Sequence, residues 1–473
     1  MTSDSVLEIF KTITTIPRES GHEEPMTSWL QQWAAAHNLA SKTDKTGNVL
    51  ITREAAPGKE DIPAIVLQAH QDMVCEKLST CNHDFSKEPI KYVVKDGWMV
   101  AEDTTLGADD GIGIAACLAL LESDTPTGKI ECLFTISEET GMDGAEALKE
   151  GFFTGKTLIN LDSEDEGQLF IGCAGGINTR VRFRRGSVPV EEGLEVMKLR
   201  IFGGQGGHSG DDINKDRLNA VQQMARFLYS EIPFSFQLIS INGGGKHNAI
   251  ARECEAVIAV PHPRATRRRF FDFGETLKEE FHTTEPGLLV DIYPAKARFA
   301  IDPETSFFVV SSLYTCPHGV QAMSQDIPGL VQTSTNLASV KMIDHNMIEV
   351  VTSQRSSARS ESRALAAKVR ANFEIAGASV KHMNEYPGWN PDMNSHILAV
   401  CVESYRELFN QEPEVKAIHA GLECGLFLEK FPGLDMISFG PTLRGVHAPG
   451  EKLELASLDK FVALLEDVVC RFR

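Results

Sequence analysis

The sequence lacks the features that mark several large classes of proteins. It contains no apolar run long enough to span a membrane. Residues 1–18 are mixed polar, without the basic region, apolar stretch and cleavage site of a signal peptide, so a cytoplasmic protein is expected. No low-complexity tract or exact repeat is present. With 473 residues, of which 42% are apolar and 24% charged, the chain is expected to form a globular protein of two or three domains.

The sequence also has no closely spaced cysteine motif, and it has fewer basic than acidic residues. The ten cysteines form no C-x-x-C motif, and several lie in apolar runs, among them Cys117, Cys132 and Cys470. Buried free thiols are therefore predicted in place of a disulfide framework. The 46 basic residues are outnumbered by 66 acidic ones, and the resulting net charge of −20 argues against a nucleic acid partner.

A phosphate-binding loop is excluded as well. The glycine-rich stretch Leu106–Gly113 has no G-K-[ST] ending, and it does not show the strand, G-x-G-x-x-G and helix order of a dinucleotide site. The residues Ile112–Leu121 are apolar on all sides and predict a buried helix. Asp109 and Asp110 stand at its start, where they could complement the helix dipole or hold a metal ion.

His70 and Asp72 follow a predicted buried strand. The strand, Ala64–Leu67, is apolar and partly β-branched. Because His70 and Asp72 are two positions apart in an extended segment, their side chains point to the same side. A metal-binding imidazole and a carboxylate that orients it can have this spacing. A lone H-x-D is more often part of a surface loop, so the pattern needs support from the rest of the chain.

Two further predicted strands also end in acidic residues. Ile130–Ile136 leads into Glu138 and Glu139, and Leu158–Leu161 leads into Asp162. Strands that alternate with helical segments predict an α/β sheet, and ligands of such sheets bind beyond the carboxyl ends of the strands. Any single acid here could be a helix cap. Three strands that end in this way favour a metal site.

Local patterns predict further elements. Apolar residues at helical spacing predict a helix near the N-terminus, with Ser3 or Asp4 as its cap. A strand pair is predicted at Ser339–Ile343 and Met347–Thr352, around a turn that contains His345.

The sequence pattern changes after residue 186, where the predicted inserted domain begins. An alternating strand, Leu194–Phe202, leads into a glycine loop that presents His208. By itself this residue would be interpreted as an exposed loop histidine. Strands and helices continue from there, and we interpret residues 187–387 as an inserted α/β domain. Residues 1–186 and 388–473 would then form one discontinuous domain.

A set of short motifs along the chain resembles the M20 metallopeptidase family. In chain order the motifs are H-Q-D-M-V, L-G-A-D-D-G-I-G, S-E-E-T-G, N-L-D-S, G-G-H-S-G, H-N-A-I, S-Q-R-S-S, H-A-G-L-E-C-G and R-G-V-H-A-P-G-E. They span nearly the whole chain and follow the family order. They are most similar to the branch of aminoacyl-histidine dipeptidases, which cleave carnosine and other Xaa-His dipeptides.

The resemblance implies a zinc-peptidase-like catalytic domain with a mixed central sheet and two Zn²⁺ ions, for which Co²⁺ or Mn²⁺ could substitute. The implied ligands are His70 and Asp162 for one ion, Glu139 and His447 for the other, and Asp109 as a bridge to both. Glu138 would be the general base, and Asp72 would orient His70. A non-proline cis peptide after Asp109 is also implied. Asp110 stands where some members would carry Asn, a departure that leaves Asp109 unaffected.

For the inserted domain the resemblance implies a lid that also forms a homodimer. His208 would reach the active site of the partner subunit and donate a hydrogen bond to the oxyanion. The implied substrate-binding residues are His208, Asn248, Arg355 and Gly421, the last of them on the discontinuous domain. The guanidinium of Arg355 suits the free carboxylate of a dipeptide.

The expected function is metal-dependent hydrolysis of dipeptides, Xaa-His and β-alanyl-histidine (carnosine) among them. One alternative is another M20-type hydrolase, such as an aminoacylase, a deacylase or a broader di- or tripeptidase. A non-catalytic metal-binding protein is disfavoured, because every metal and base position holds a competent residue. Neither a nucleic acid nor a membrane is expected as a partner.

Overall fold

The computed structural model describes residues 1–344 and 346–473. His345, in the turn predicted between two strands, lies outside the described residues. The α-helices of the described part are α1 (Ser3–Ile13), α2 (Glu24–Ala36), α3 (Ala108–Glu122), α4 (Glu138–Gly141), α5 (Asp143–Ala147), α6 (Ala220–Glu231), α7 (Pro263–Glu280), α8 (Pro303–Thr315), α9 (Arg359–Ile375), α10 (His396–Phe409), α11 (Glu423–Lys430) and α12 (Leu455–Arg471).

The strands of the same residues are β1 (Ala40–Thr43), β2 (Val49–Arg53), β3 (Ile65–His70), β4 (Tyr92–Lys95), β5 (Trp98–Ala101), β6 (Ile130–Thr135), β7 (Thr157–Asn160), β8 (Gln168–Cys173), β9 (Gly175–Arg184), β10 (Ser187–Pro189), β11 (Glu195–Phe202), β12 (Gln237–Gly244), β13 (Cys254–Val260), β14 (Leu289–Pro294), β15 (Phe299–Ile301), β16 (Gly319–Met323), β17 (Val331–Asp344), β18 (Met347–Ser356), β19 (Ser379–Tyr386), β20 (Glu414–Ile418), β21 (Asp435–Ser438), β22 (Leu443–Arg444) and β23 (Lys452–Glu454).

These elements form two compact units. The first consists of Met1–Cys173, Trp389–Ala417 and Leu422–Arg473. The second consists of Ala174–Gly388 and Ile418–Gly421. None of the helices in the described ranges is long and apolar enough to cross a membrane.

The first unit is built on an eight-stranded sheet with the order β1-β2-β6-β3-β7-β21-β8-β20. The central strands β6, β3, β7 and β21 run parallel to one another, whereas β2 and β8 are antiparallel to their neighbours. The α/β fold with a mixed central sheet is thereby confirmed. A separate four-stranded sheet of this unit has the order β22-β23-β5-β4.

Strand β3 is the middle member of three parallel strands whose first residues are level, and β7 ends two residues before β3 and β6. Ile65 pairs with Ile130 of β6 and with Thr157 of β7, and at the other end His70 pairs with Thr135. All six residues of β3 are buried, which is typical of a parallel strand covered on both faces. The residues that follow β3, β6 and β7 therefore leave the sheet at the same edge.

Helix α3 is the buried helix that the sequence predicts. Every residue from Gly111 to Leu121 is buried, and the helix packs against α1 and β3. Asp109 and Asp110 have non-helical φ and ψ, so the continuous helix begins after them, close to the predicted Ile112, and Gly107 precedes the segment with φ of 69°. Asp109 therefore lies in the turn before the continuous helix, where its carboxylate is 2.9 Å from His70 at the end of β3.

The second unit contains an antiparallel sheet with the order β14-β11-β13-β12-β17-β18-β9-β19, and β16 pairs with β17 outside this path. Helices α6, α7, α8 and α9 contribute buried apolar residues to its core. Strand β9 lies inside this sheet, between β18 and β19. The unit consists of the whole predicted range 187–387 together with residues 174–186, 388 and 418–421.

Two local expectations differ from the structure. The cap of α1 is Thr2, not Ser3 or Asp4, because Thr2 has an extended backbone and its hydroxyl accepts a hydrogen bond from Ser5 N at 3.2 Å.

All ten cysteines are free, as expected. Most of them are buried, but Cys470 is only half-buried since it lies in the last turn of the C-terminal helix α12.

Candidate metal centre

The predicted metal and base residues of the first unit meet at the carboxyl ends of the parallel strands. Their places are the last residue of β3 for His70, the turn at the start of α3 for Asp109, the first two residues of α4 for Glu138 and Glu139, the second position after β7 for Asp162, and the loop between β22 and β23 for His447.

Asp109 lies between two imidazoles. Its Oδ1 is 2.9 Å from His70 Nε2, and its Oδ2 is 3.0 Å from His447 Nε2. Each imidazole nitrogen also faces a second carboxylate. His70 Nε2 is 3.4 Å from Asp162 Oδ1. His447 Nε2 is 2.8 Å from Glu139 Oε1. Two histidine–carboxylate pairs therefore share one carboxylate.

This donor set fits divalent metal ions. Two sets of three side chains present possible ligand atoms within 4.8 Å of one another, namely His70 with Asp109 and Glu139, and His70 with Asp110 and Asp162. Imidazole nitrogens and carboxylate oxygens are ligands of catalytic Zn²⁺ and related ions. Buried carboxylates crowded in this way also require positive charge to offset their desolvation.

Proton binding at the site shows the same demand for positive charge. Hydrogen bonds to Asp109 and Glu139 raise the pKa of His447 to about 11. Burial would raise the pKa of Asp109, but hydrogen bonds from His447 and His70 outweigh it and hold that pKa well below its usual range. Because metal ligands must be deprotonated, a bound cation would replace these protons.

Asp72 connects the histidine of β3 to the start of α4. Its Oδ1 lies 3.3 Å from His70 Nδ1 and accepts a hydrogen bond from Glu138 N at 3.0 Å. Its Oδ2 accepts hydrogen bonds from Glu139 N at 3.2 Å and from Ser20 Oγ at 2.8 Å. Burial opposes ionisation, yet these bonds, that to His70 first, lower the pKa of Asp72 to about 2. The carboxylate thus orients both the imidazole and the two glutamates.

Glu138 is the carboxylate of the cluster for which the family resemblance implies the role of general base. Burial raises its pKa well above the usual range, and the nearby carboxylates of Asp162, Glu423 and Glu139 add to that rise. A carboxylate with a raised pKa is a stronger base. Its backbone is held by Asp72, as described above.

The sequence left two roles open for Asp110, to complement the helix dipole or to hold a metal ion, and the structure gives it a defined place. The peptide between Asp109 and Asp110 is cis, as the family resemblance implies. Asp110 Oδ2 accepts a hydrogen bond from His70 N at 3.2 Å, and its Oδ1 accepts one from Gly113 N at 3.1 Å. Both oxygens are thus occupied by backbone amides. The only signal in the sequence was the pair of adjacent acids.

A buried polar layer under the site was also missed. Glu423 Oε2 accepts hydrogen bonds from Gln68 Nε2 at 2.6 Å and from Thr135 Oγ1 at 2.9 Å. Gln68 Oε1 accepts one from Asn160 Nδ2 at 2.6 Å. Gln68 and Asn160 precede His70 and the Asp162 segment on neighbouring strands, so this layer connects the strands just before the site. A glutamine inside an apolar strand was the available signal.

The four predicted substrate residues belong to the second unit. His208 and Asn248 line a cavity of about 500 Å³ with several glycines. One of these, Gly207, has φ of 135°, and a Cβ there would lie 2.5 Å from Asp212 Oδ2. Gly421, predicted for the other domain, lies in the segment Ile418–Gly421 of this unit. That placement follows because Ala174 N donates hydrogen bonds to the carbonyls of Ile418 and Ala420.

Arg355 lies on β18 and is 7% exposed. Its Nη1 donates to Tyr386 Oη at 3.3 Å, and its Nε has no hydrogen-bond partner among the described residues. It also lies close enough to Asp211 to affect that carboxylate. The hydrogen bond from His208 first, and the positive charge of Arg355 in addition, lower the pKa of Asp211. Arg355 and His208 therefore share one polar neighbourhood.

Histidines and a shared carboxylate at the carboxyl edge of an α/β sheet are typical of a metal-binding protein. The family model that matches is peptidase family M20/M25/M40, over residues 66–471. The chain belongs to this family and is an M20-type metallopeptidase.

Two relatives match nearly the whole chain. The cytosol non-specific dipeptidase of Escherichia coli K12 is 37% identical over 468 residues, which cover 98% of this chain and 96% of that protein. Aminoacylhistidine dipeptidase from Vibrio alginolyticus, whose crystal structure is known, is 36% identical in sequence. The two structures match with a TM-score of 0.93 over 99% of this chain and 96% of that chain. Aminopeptidase PepT from Bacillus cereus, at 16% identity and a TM-score of 0.59, shares the fold.

Glu423 makes the stability of the protein dependent on pH. Burial raises its pKa to about 7, whereas the pKa of a glutamate in the unfolded chain is about 4.3. The stability that its protonated form contributes is therefore complete below about pH 4 and is lost as the pH rises to about 7. Glu423→Gln keeps an acceptor for Gln68 and Thr135 without this loss. Between pH 5 and pH 8, we expect the melting temperature of the metal-free variant to rise relative to that of the metal-free wild type. Melting temperatures that change in parallel with pH would contradict this.

Proposed function

We propose that this chain is a dipeptidase that uses two divalent ions, Zn²⁺ in the first instance, to hydrolyse Xaa-His dipeptides, β-alanyl-histidine among them. The observation that carries the proposal is the carboxylate of Asp109 between His70 and His447, with one further carboxylate for each imidazole. The names of the two full-length relatives support dipeptides as substrates. A broader dipeptidase is the second candidate, because the relative from E. coli is called non-specific.

Each residue of the centre has a proposed role. The proposed ligands are His70 and Asp162 for one ion, Glu139 and His447 for the other, and Asp109 for both. Such a pair of ions supplies a water nucleophile at neutral pH and polarises the scissile carbonyl. Asp72 would accept a hydrogen bond from His70 Nδ1–H, which keeps the proton on Nδ1 and leaves Nε2 free to bind metal.

Glu138 is proposed to move the proton. It would accept a proton from the attacking water and pass it to the nitrogen of the leaving amine. Burial, which raises the pKa of Glu138, makes this carboxylate a stronger base than an exposed glutamate. Asp72 fixes the backbone of Glu138 and Glu139 together, so the base keeps a constant position relative to the neighbouring ligand.

The second unit is proposed to bind the substrate. Arg355, which is buried and has an unused Nε–H, would bind the free carboxylate of the dipeptide. His208 and Asn248 would donate hydrogen bonds to the scissile carbonyl as its oxygen becomes an oxyanion. Gly421 would offer its backbone to the substrate. The exposure of His208 at the wall of a cavity supports this assignment.

We further propose that the second unit is a lid that forms a homodimer, with His208 acting at the site of the partner subunit. Within the described residues, β14 pairs only with β11, so one edge of the sheet is open to a second chain. Leu289 and Tyr293 of that strand are exposed, at 48% and 37%. A cytoplasmic location is proposed from the name of the relative from E. coli.

The function is tested on purified protein freed of metal by chelation and then reloaded with Zn²⁺, Co²⁺ or Mn²⁺. We expect no turnover without metal and full turnover at two ions per chain, because both ions share Asp109. The kcat/KM should be highest for β-alanyl-histidine and other Xaa-His dipeptides, compared with Xaa-Ala dipeptides, tripeptides and N-acyl amino acids. Equal values for all dipeptides would establish the broader specificity. Cleavage of N-acyl amino acids alone would indicate an aminoacylase, and turnover by metal-free protein would refute the metal mechanism.

Glu138→Gln is expected to keep both metal ions and to lower kcat by about 10²–10⁴-fold, since glutamine cannot accept the proton. Metal content by elemental analysis and kcat are measured on the same preparation. Glu139→Gln is the matched control, adjacent in the chain and identical in chemistry, and it should lose metal. If Glu138→Gln loses metal while Glu139→Gln retains it, the two roles are reversed.

Arg355→Ala is expected to raise KM for free dipeptides more than for the same dipeptides amidated at the C-terminus. A hydrogen bond to a charged group contributes about 1.5–3 kcal/mol, which corresponds to roughly 10- to 150-fold in binding. Arg182→Ala, which removes an exposed arginine of the same unit, serves as control and should change neither KM. An equal effect of Arg355→Ala on both substrates would mean that this residue does not bind the carboxylate.

A further inference from the structure

Two buried residues of opposite charge lie beside residues 106–111, the Asp109 loop, and have no role in the proposed chemistry. Arg18 follows α1, Glu451 immediately precedes β23, and each is 2% exposed. A buried charge is costly unless it is well hydrogen-bonded. The partners of both residues are backbone atoms of the segments that carry the metal centre.

Glu451 occupies the start of helix α3. Its Oε2 accepts hydrogen bonds from Leu106 N at 2.8 Å and from Gly107 N at 3.0 Å. Its Oε1 accepts one from Ala108 N at 2.8 Å and a longer one from Asp109 N at 3.4 Å. Asp109 and Asp110 have non-helical φ and ψ, so these four amides belong to the turn that leads into the continuous part of α3. Buried amides need an acceptor, and one carboxylate satisfies all four.

Glu451 also belongs to the loop that carries His447. Its carbonyl accepts a hydrogen bond from Ala101 N at 3.0 Å, and the adjacent Gly450 N donates to Thr104 O at 2.9 Å. The backbone of this loop is therefore anchored while the side chain holds the Asp109 loop. The distance between the His447 segment and the Asp109 segment depends on this carboxylate.

Arg18 makes the corresponding connection on the other side. Its Nη1 donates to Asp72 O at 2.7 Å and to Gln71 O at 3.2 Å. Its Nη2 donates to Gly107 O. The planar guanidinium can serve all three carbonyls because its N–H groups diverge in a fixed fork. The segment that follows His70 is thereby tied to the Asp109 loop.

The glycines of this loop make room for the guanidinium. Gly107 has φ of 69°, and a Cβ there would lie 2.5 Å from Arg18 Nη2. A Cβ at Gly111 would lie 2.7 Å from the same atom. The glycine-rich pattern, which does not bind phosphate, is explained by the close approach of Arg18 to the backbone.

We propose that Arg18 and Glu451 are positioning residues of the metal centre, which hold Asp109 at the one place where it reaches both His70 and His447. Arg18 ties the Asp109 loop to the segment of His70, and Glu451 ties it to the segment of His447. The inference rests on the proposed dinuclear centre. A shared carboxylate has no freedom to follow one ion without leaving the other, so loss of either tie should weaken metal binding.

The test compares Arg18→Lys and Glu451→Gln with two matched controls in the same unit. Arg53 donates to Leu120 O and Ser123 O at the opposite end of α3, so Arg53→Lys is the first control. Glu131 is 2% exposed and accepts from Thr154 N and Gly155 N at the start of β6, away from the site, so Glu131→Gln is the second.

Three quantities are measured on each protein. They are the affinities for Zn²⁺ by competition with a chelator, the absorption spectrum after loading with Co²⁺, and the melting temperature of the metal-free form. We expect Arg18→Lys and Glu451→Gln to weaken the binding of at least one ion by about 10- to 100-fold and to change the Co²⁺ spectrum. The controls should lower only the melting temperature.

Wild-type affinities and an unchanged Co²⁺ spectrum in both variants would overturn the inference, as would equal losses in the controls. Glu451→Asp keeps the charge and shortens the reach, and it replaces Glu451→Gln if that variant does not fold. If neither variant at position 451 folds, or if Arg18→Lys does not, the residue supports the fold as a whole and the inference fails. A wild-type protein that binds fewer than two ions would refute the proposed centre itself, which separates the two failures.

Discussion

The parallel register of three strands is the constraint on which the first unit depends. β3 lies between β6 and β7 in parallel register, so the residues that follow the three strands meet at one edge. His70 and Asp162 reach the site in this way, and Glu138 and Glu139 arrive through the short helix after β6. Asp109 and His447 come from other segments and have to be brought to the same edge by their own contacts.

Crowded acids are stabilised at this edge by two kinds of partner. Histidines compensate the carboxylates that face the centre, as the raised pKa of His447 shows. Backbone amides compensate the carboxylates one layer further out, since Asp72, Asp110 and Glu451 all accept hydrogen bonds from peptide N–H groups. Backbone partners cannot rotate away, so this outer layer holds the segments rigidly while the inner layer stays available for cations.

The sequence predicted those features that depend on neighbouring residues. The apolar run before His70 and the apolar helix after Asp110 both follow from local periodicity, and both are confirmed. It failed where a partner is distant in the chain. Glu451 was missed because its partners lie more than 340 positions earlier, at the start of α3. Strand β9 was assigned to the wrong side of a boundary because its two neighbours, β18 and β19, come much later.

The sequence by itself determined the elements, the α/β class and, through its motifs, the family of the chain. Periodicity and residue type suffice for these, because each is a property of short segments read in order. The motifs already implied that Asp109 is shared, but only the tertiary structure decided which buried charges, Arg18 and Glu451, contact the backbone beside it. Those facts depend on distances between segments that pack together after folding. The acids Asp109 and Asp110 are adjacent and chemically identical, yet Asp109 faces the imidazoles of His70 and His447, whereas Asp110 accepts hydrogen bonds from the amides of His70 and Gly113.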